Sequence, residues 1–246
     1  MKTKAQLFLG VLLPYLFLSY LAIFVFSVER VKIMTLEDHF YENIGAITIL
    51  TGSIMFFILF FKDKSGNDFY ILKTKRNIIV LLLAMLLFFG FGEEISWGQR
   101  IFGWQTPTWW NHMNVQGETN IHNLGLFNNV DAQGHKKSFF GEMLDFNRLF
   151  SLFWFTYFFA FPILDNWYIG FSKWAKRVNI PLVPVWMAVL YPINYLISKS
   201  IQFYLANPLF APQVEIKEAY YEVLLAAAGI WILTEFLRKA KDAADP

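Results

Sequence analysis

Long apolar segments separated by shorter polar ones dominate this chain. Six of them have about 20 mostly apolar residues each, the length that crosses the hydrocarbon core of a bilayer. They lie at approximately 6–28, 43–61, 77–97, 148–170, 182–204 and 219–237. The pattern predicts an all-α fold, a polytopic membrane helical bundle of about six transmembrane helices. We expect one integral membrane domain over residues 1–246.

Two of these segments have features of their own. The first is longer than the apolar region of a signal peptide, which has roughly 7–15 residues, so we expect it to be retained as a membrane span. The fifth contains Pro184, Pro192 and Asn194. Proline removes a backbone donor, and such helices are tolerated in membranes where neighbours satisfy the freed groups. We therefore expect a kinked helix inside the bundle.

The charged residues between the spans sort by sign. Basic residues concentrate at 2–4, 62–76, 173–177 and 238–241. If six spans alternate in direction, all four stretches lie on one side, and the positive-inside rule identifies that side as the cytoplasm. We expect a multi-pass membrane protein with both termini cytoplasmic and most of its acidic residues on the outer side.

Two pairs of outer acidic residues precede predicted spans. Asp38 and Glu42 are four residues apart, as are Glu218 and Glu222, so each pair shares a helical face. One interpretation is that acids simply favour helix N-termini. The other is that both pairs face one cavity and form a secondary part of a functional site.

The composition excludes several classes of protein. Hydrophobic residues make up 56% of the chain and charged residues 16%, whereas soluble domains have about 25% charged residues. The formal net charge of +2 gives no indication of nucleic-acid binding, so membrane lipids are the expected partners and a protein partner is unknown. The absence of cysteine excludes disulfides and thiolate metal sites.

The third apolar segment ends in the stretch Gly92–Arg100. Adjacent carboxylates at Glu93 and Glu94 cost several kcal/mol at membrane depth unless they are compensated, which marks a functional site. A continuing helix would stack Glu93, Trp97 and Arg100 on one face. Arg100 then either forms a structural ion pair with the glutamates or binds an anionic substrate group.

The segment 98–146 is the one long connection, and its tryptophans and asparagines predict an ordered outer loop. Within it Glu118 and His122 are four residues apart, the helical spacing that brings a carboxylate and an imidazole to one metal. Asn120 and Asn123 are candidates, with Trp97 and Arg100, for binding substrate.

The carboxylates and the imidazole suggest two kinds of chemistry. One divalent metal, zinc, manganese or iron, would be held by Glu93, Glu94, Glu118 and His122. Without a metal, repulsion between like charges raises the pKa of at least one carboxyl group, which suits a general acid or base. Both routes make Glu93, Glu94, Arg100, Glu118 and His122 the candidate catalytic residues.

Two sequence stretches carry a resemblance. Residues 93–100 read EEISWGQR and residues 116–123 read QGETNIHN. On these stretches the chain resembles an uncharacterised family of bacterial multi-pass inner-membrane proteins. The resemblance implies a location and a fold and no activity.

Three functions remain consistent with the sequence. The first is a metal-assisted hydrolase or transferase acting on a lipid or lipid-linked substrate. The second is a non-catalytic membrane scaffold or assembly subunit. The third is a cation- or proton-coupled transporter. No Gly-x-Ser-x-Gly, P-loop, His-Glu-x-x-His or dinucleotide motif is present to decide among them.

Overall fold

The structure is a computed structural model that describes residues 2–36, 39–115, 117–127, 135, 145–205 and 210–244, with the backbone alone at 2, 100 and 147. The helices are α1 (Lys2–Val25), α2 (Val28–Met34), α3 (Phe40–Lys62), α4 (Ile78–Glu94), α5 (Gln99–Phe102), α6 (Thr108–Asn111), α7 (Phe146–Phe153), α8 (Phe161–Trp167), α9 (Ile169–Val178), α10 (Val185–Ala188), α11 (Leu190–Leu205) and α12 (Gln213–Ala244). A π-helical segment, Trp154–Ala160, joins α7 to α8. Among the described residues there are isolated β-bridges but no strand, so the all-α fold is confirmed.

Within the part of the chain that the structure describes, four helical segments are long and apolar enough to cross a membrane, which is fewer than the six expected. They are Thr3–Val25, Phe40–Lys62, Arg148–Trp167 and Gln213–Ala244. The third predicted span is helical for only 17 residues, because the chain leaves the helix after Glu94. The fifth is divided into α10 and α11, and α11 has 16 residues. Pro192 explains this break, because it has no N–H to donate to the carbonyl of Ala188.

The centre of the bundle is the close contact between α3 and α12. A Cβ added at Gly52 would lie 3.2 Å from the carbonyl oxygen of Leu225, and one at Gly229 would lie 3.2 Å from that of Gly52. Glycine therefore lets two backbones approach as they do in packed membrane helices. On the other side of α3, Ser53 Oγ donates to the carbonyl of Ala84 on α4 at 2.9 Å.

The two helices run in the same direction, which separates the charges between the ends of the bundle. Gly45, near the start of α3, contacts Glu222, near the start of α12. At the far end of α12, Lys4 Nζ lies 2.9 Å from Glu235 Oε1. The basic loop 63–77 lies at that far end, where Asn67 Nδ2 donates to the carbonyl of Val178 at 2.7 Å.

Candidate functional site

The chain leaves α4 through a left-handed turn. Ser96, Trp97 and Gly98 have φ angles of 46°, 54° and 85°. Left-handed backbone angles are strained for residues other than glycine, and here two such residues are consecutive. Strain of this kind persists where the surrounding contacts impose it. The turn folds Trp97 back over Gly92, where an added Cβ would lie 2.9 Å from three atoms of the indole ring.

The carboxylate of Glu93 holds this turn to the outer loop. Glu93 Oε1 accepts from Trp97 Nε1 at 2.5 Å. Glu93 Oε2 accepts from the backbone N–H groups of Ile121 and His122, each at 2.7 Å. The side chain is 3% exposed, so these charge-assisted hydrogen bonds replace its lost hydration. Glu93 is therefore the anchor that fixes residues 121–122 against the end of α4.

The same carboxylate orients the imidazole of His122. His122 Nδ1 lies 3.1 Å from Glu93 Oε2. An ionised carboxylate only accepts hydrogen bonds, so Nδ1 must carry the proton of the neutral ring. The other nitrogen, Nε2, then has a lone pair, and a carboxylate–imidazole pair of this kind prepares a histidine as a base or a metal ligand.

Glu118 does not pair with His122 as the sequence predicted. Residues 117–124 form turns and bends, so the helical spacing on which that pairing depended is wrong. Glu118 Oε2 instead accepts from Ser96 Oγ at 3.1 Å and from Asn120 Nδ2 at 2.6 Å. Glu118 thus contacts Ser96 of the strained turn and the buried Asn120.

A cavity of about 150 Å³ collects acidic residues from three helices beside His122. Its acidic lining residues are Glu42 of α3, Glu93 and Glu94 of α4, and Glu215, Glu218 and Glu222 of α12; His122 and Tyr41 also line it. We call it the acidic cavity. Glu42 of α3 and the glutamates of α12 therefore line the same cavity as Glu93 and Glu94.

The remaining candidate residues are placed elsewhere or are not described. Trp97, Glu118, Asn120 and Asn123 do not line the acidic cavity. Asp38 and the side chain of Arg100 lie outside the described residues. Glu215 is a lining residue that was not a candidate, although its spacing of three from Glu218 signalled a shared helical face.

Glu222 is a second buried carboxylate of the cavity, beside Glu93. It is 6% exposed, and its Oε2 lies against Gly45, where an added Cβ would overlap it. Within the described part of the chain no hydrogen-bond or ion-pair partner of this carboxylate is found, and its charged neighbours are Glu94, Glu218, Glu215 and Glu42. Burial of an unpaired carboxylate is costly, so a proton or a cationic group in the cavity would stabilise it.

The described residues do not form a ready metal site. No group of three or more His, Cys, Asp or Glu among them is positioned to hold a metal ion. Both oxygens of Glu93 already accept hydrogen bonds, and Glu118 does not line the cavity. The predicted zinc, manganese or iron therefore stays a prediction.

A second, larger cavity adjoins the first. It has a volume of about 780 Å³ and is lined mainly by aromatic residues of α7, the π-helical segment, α11 and α12. We call it the aromatic groove. Phe150 and Glu218 line both cavities, so the two share a wall. No signal in the sequence had indicated the groove, because its residues come from three separate predicted spans.

Comparison of the chain with protein-family models, with curated proteins and with solved structures found no match. The resemblance on EEISWGQR and QGETNIHN stays a prediction.

Proposed function

We propose that this chain is a bacterial inner-membrane enzyme, a hydrolase or transferase that acts on a lipid or lipid-linked substrate. In this proposal α4 and α11 complete a bundle of six spans. The basic end faces the cytoplasm, as the positive-inside rule requires, and the acidic cavity faces outward.

The observation that carries the proposal is the Glu93–His122 pair at the edge of the acidic cavity. Neutral His122 takes a proton at Nε2 from a water or a substrate hydroxyl, and the oxygen of that group attacks an ester or phosphoester centre of the lipid. The bond from that centre to the leaving oxygen breaks, and the imidazolium returns the proton to the leaving oxygen. The negative charge of Glu93 stabilises the imidazolium that forms. General-base catalysis of this kind contributes about 10²- to 10⁴-fold to a rate.

The adjoining aromatic groove supports a lipid as the substrate. A lipid places an apolar chain and a polar group next to each other, and the two cavities meet at Phe150 and Glu218. The groove supplies apolar contacts and the acidic cavity supplies the reactive groups. If a divalent metal binds, His122 Nε2 is the ligand atom that this arrangement leaves available.

The test is turnover of lipid by purified protein. The protein is placed in nanodiscs of total lipid extract from a bacterial inner membrane, and all lipid species are followed by mass spectrometry. We expect one class to decrease and a product to increase. We expect His122→Asn to lower this rate about 10²-fold or more. Glu29→Gln is the matched control, because Glu29 is exposed on α2.

Metal content is measured on the same samples by elemental analysis. Stoichiometric metal lost in His122→Asn would extend the proposal to metal-assisted chemistry. No change in any lipid species with the wild-type protein, or undiminished turnover in His122→Asn, would contradict the proposed enzyme.

A further inference from the structure

The aromatic groove has the shape and lining of a site for an apolar chain. Its volume of about 780 Å³ lies in the range of small-molecule binding sites, roughly 300–1,000 Å³. Trp154 and Tyr191 stack with ring centroids 5.7 Å apart and planes 2° apart, and Tyr221 lies 4.9 Å from Trp154. These rings form an apolar wall of the groove.

Two cationic residues line the groove. Arg148 lies at the start of α7 and Lys217 precedes the shared residue Glu218 on α12. Lys217 Nζ is 3.4 Å from Glu218 Oε1, so it stands at the boundary between the two cavities. A negative group bound at this position would be held between the aromatic wall and the carboxylates.

Two of the residues that line the groove carry buried polar atoms that the protein does not satisfy. Within the described residues Trp154 Nε1 and Tyr221 Oη are buried and have no hydrogen-bond partner. Unpaired buried donors are rare in folded proteins and call for an explanation. The π-helical segment that carries Trp154 is itself a geometry often found at functional sites.

We propose that the aromatic groove binds a membrane lipid that bears a phosphate group, with its chain along Trp154 and Tyr191 and its phosphate on Arg148 and Lys217. This inference rests on the proposed function and specifies its substrate class. Charge complementarity selects the lipid. The acidic cavity repels a free anion, so the phosphate stays at the groove and the bond beyond it is presented to His122.

The test is a binding comparison in the His122→Asn background, where substrate is not consumed. Phosphatidic acid and diacylglycerol with identical chains are the probes, and binding from detergent is measured by native mass spectrometry. We expect phosphatidic acid to bind about tenfold or more tightly than diacylglycerol. The double variant Arg148→Gln/Lys217→Gln should abolish that preference. Ser151→Trp, at an exposed lining position, should obstruct the groove and weaken both lipids.

The matched control is Lys173→Gln/Lys176→Gln, which removes two positive charges from α9, outside the groove. It should leave the preference unchanged. Equal binding of the two lipids by the parent protein, or a preference retained in the Arg148/Lys217 double variant, would overturn the inference. Turnover of a lipid without phosphate would refute the proposed substrate class but support the proposed enzyme. Selective binding of phosphatidic acid without turnover of any lipid would support the lipid site but contradict the proposed enzyme.

Discussion

Replacement of Glu93 by glutamine tests whether this carboxylate anchors the outer loop. Glu93 accepts three hydrogen bonds from N–H donors of Trp97, Ile121 and His122 at 2.5–2.7 Å, and a longer one from the imidazole of His122. In Glu93→Gln one oxygen becomes an NH₂ group, which cannot accept. If the amide oxygen stays with the two loop amides, the NH₂ group faces Trp97 Nε1, and this partly buried donor loses its partner.

An unpaired buried donor costs about 1–3 kcal/mol, and the remaining bonds also lose their charge assistance. We take about 3 kcal/mol as the loss of local stability, which corresponds to a roughly hundredfold increase in local opening. Hydrogen exchange measured by mass spectrometry on peptides covering 119–124 reports this directly. Exchange of the Ile121 and His122 amides should accelerate about 10²-fold in Glu93→Gln and remain unchanged in Glu29→Gln. Unaltered protection of these amides in Glu93→Gln would refute the anchoring role.

Three further predictions follow from other contacts. Gly92→Ala should displace the Trp97 ring and raise exchange at residues 121–122, whereas Gly10→Ala, where the added Cβ meets nothing within 4 Å, should not. Gly52→Ala should separate α3 from α12 and cost about 1–3 kcal/mol, seen as a lower midpoint of thermal unfolding in detergent, with Gly10→Ala again as the control. The pKa of Asp68 is lowered by the backbone N–H of Tyr70 and by Arg177. Because the folded-state pKa is depressed, ionised Asp68 stabilises loop 63–77 above about pH 4, and this stabilisation is lost as the pH falls below that value. Protection of the loop amides from hydrogen exchange should therefore decrease at low pH. Asp68→Asn should remove this pH dependence.

The sequence predicted the helical class and the gathering of acidic residues because both follow from local rules. Apolar length predicts long helices, and the spacing of Glu218 and Glu222 places both on the helix face that lines the cavity. Glu42 and Glu93 could be expected at one end of the bundle because spans alternate in direction.

The contacts of the outer loop could not be predicted in the same way. The helix was expected to continue to Trp97, but Ser96 and Trp97 adopt left-handed backbone angles that no propensity indicates. The partner of His122 is Glu93, 29 residues away, rather than Glu118 at the helical spacing. Tertiary hydrogen bonds to a buried carboxylate outweigh local spacing here.

The break between α10 and α11 has a signal that was partly recognised. Pro192 and Pro184 indicated a kink, and the helix is interrupted at Val189, which keeps right-handed helical angles of φ −67° and ψ −23°. Residues of α11 line the aromatic groove. The aromatic rings of the groove come together only through the packing of α7, α11 and α12. Such a cavity has no sequence pattern of its own.

A structure of the His122→Asn protein in nanodiscs of bacterial lipid extract tests the central claim most directly. The account predicts one ordered lipid with its chain along Trp154 and Tyr191, its phosphate at Lys217, and its polar end inside the acidic cavity next to residue 122. A groove occupied only by disordered lipid, with the acidic cavity closed off from it at Phe150 and Glu218, would contradict the account.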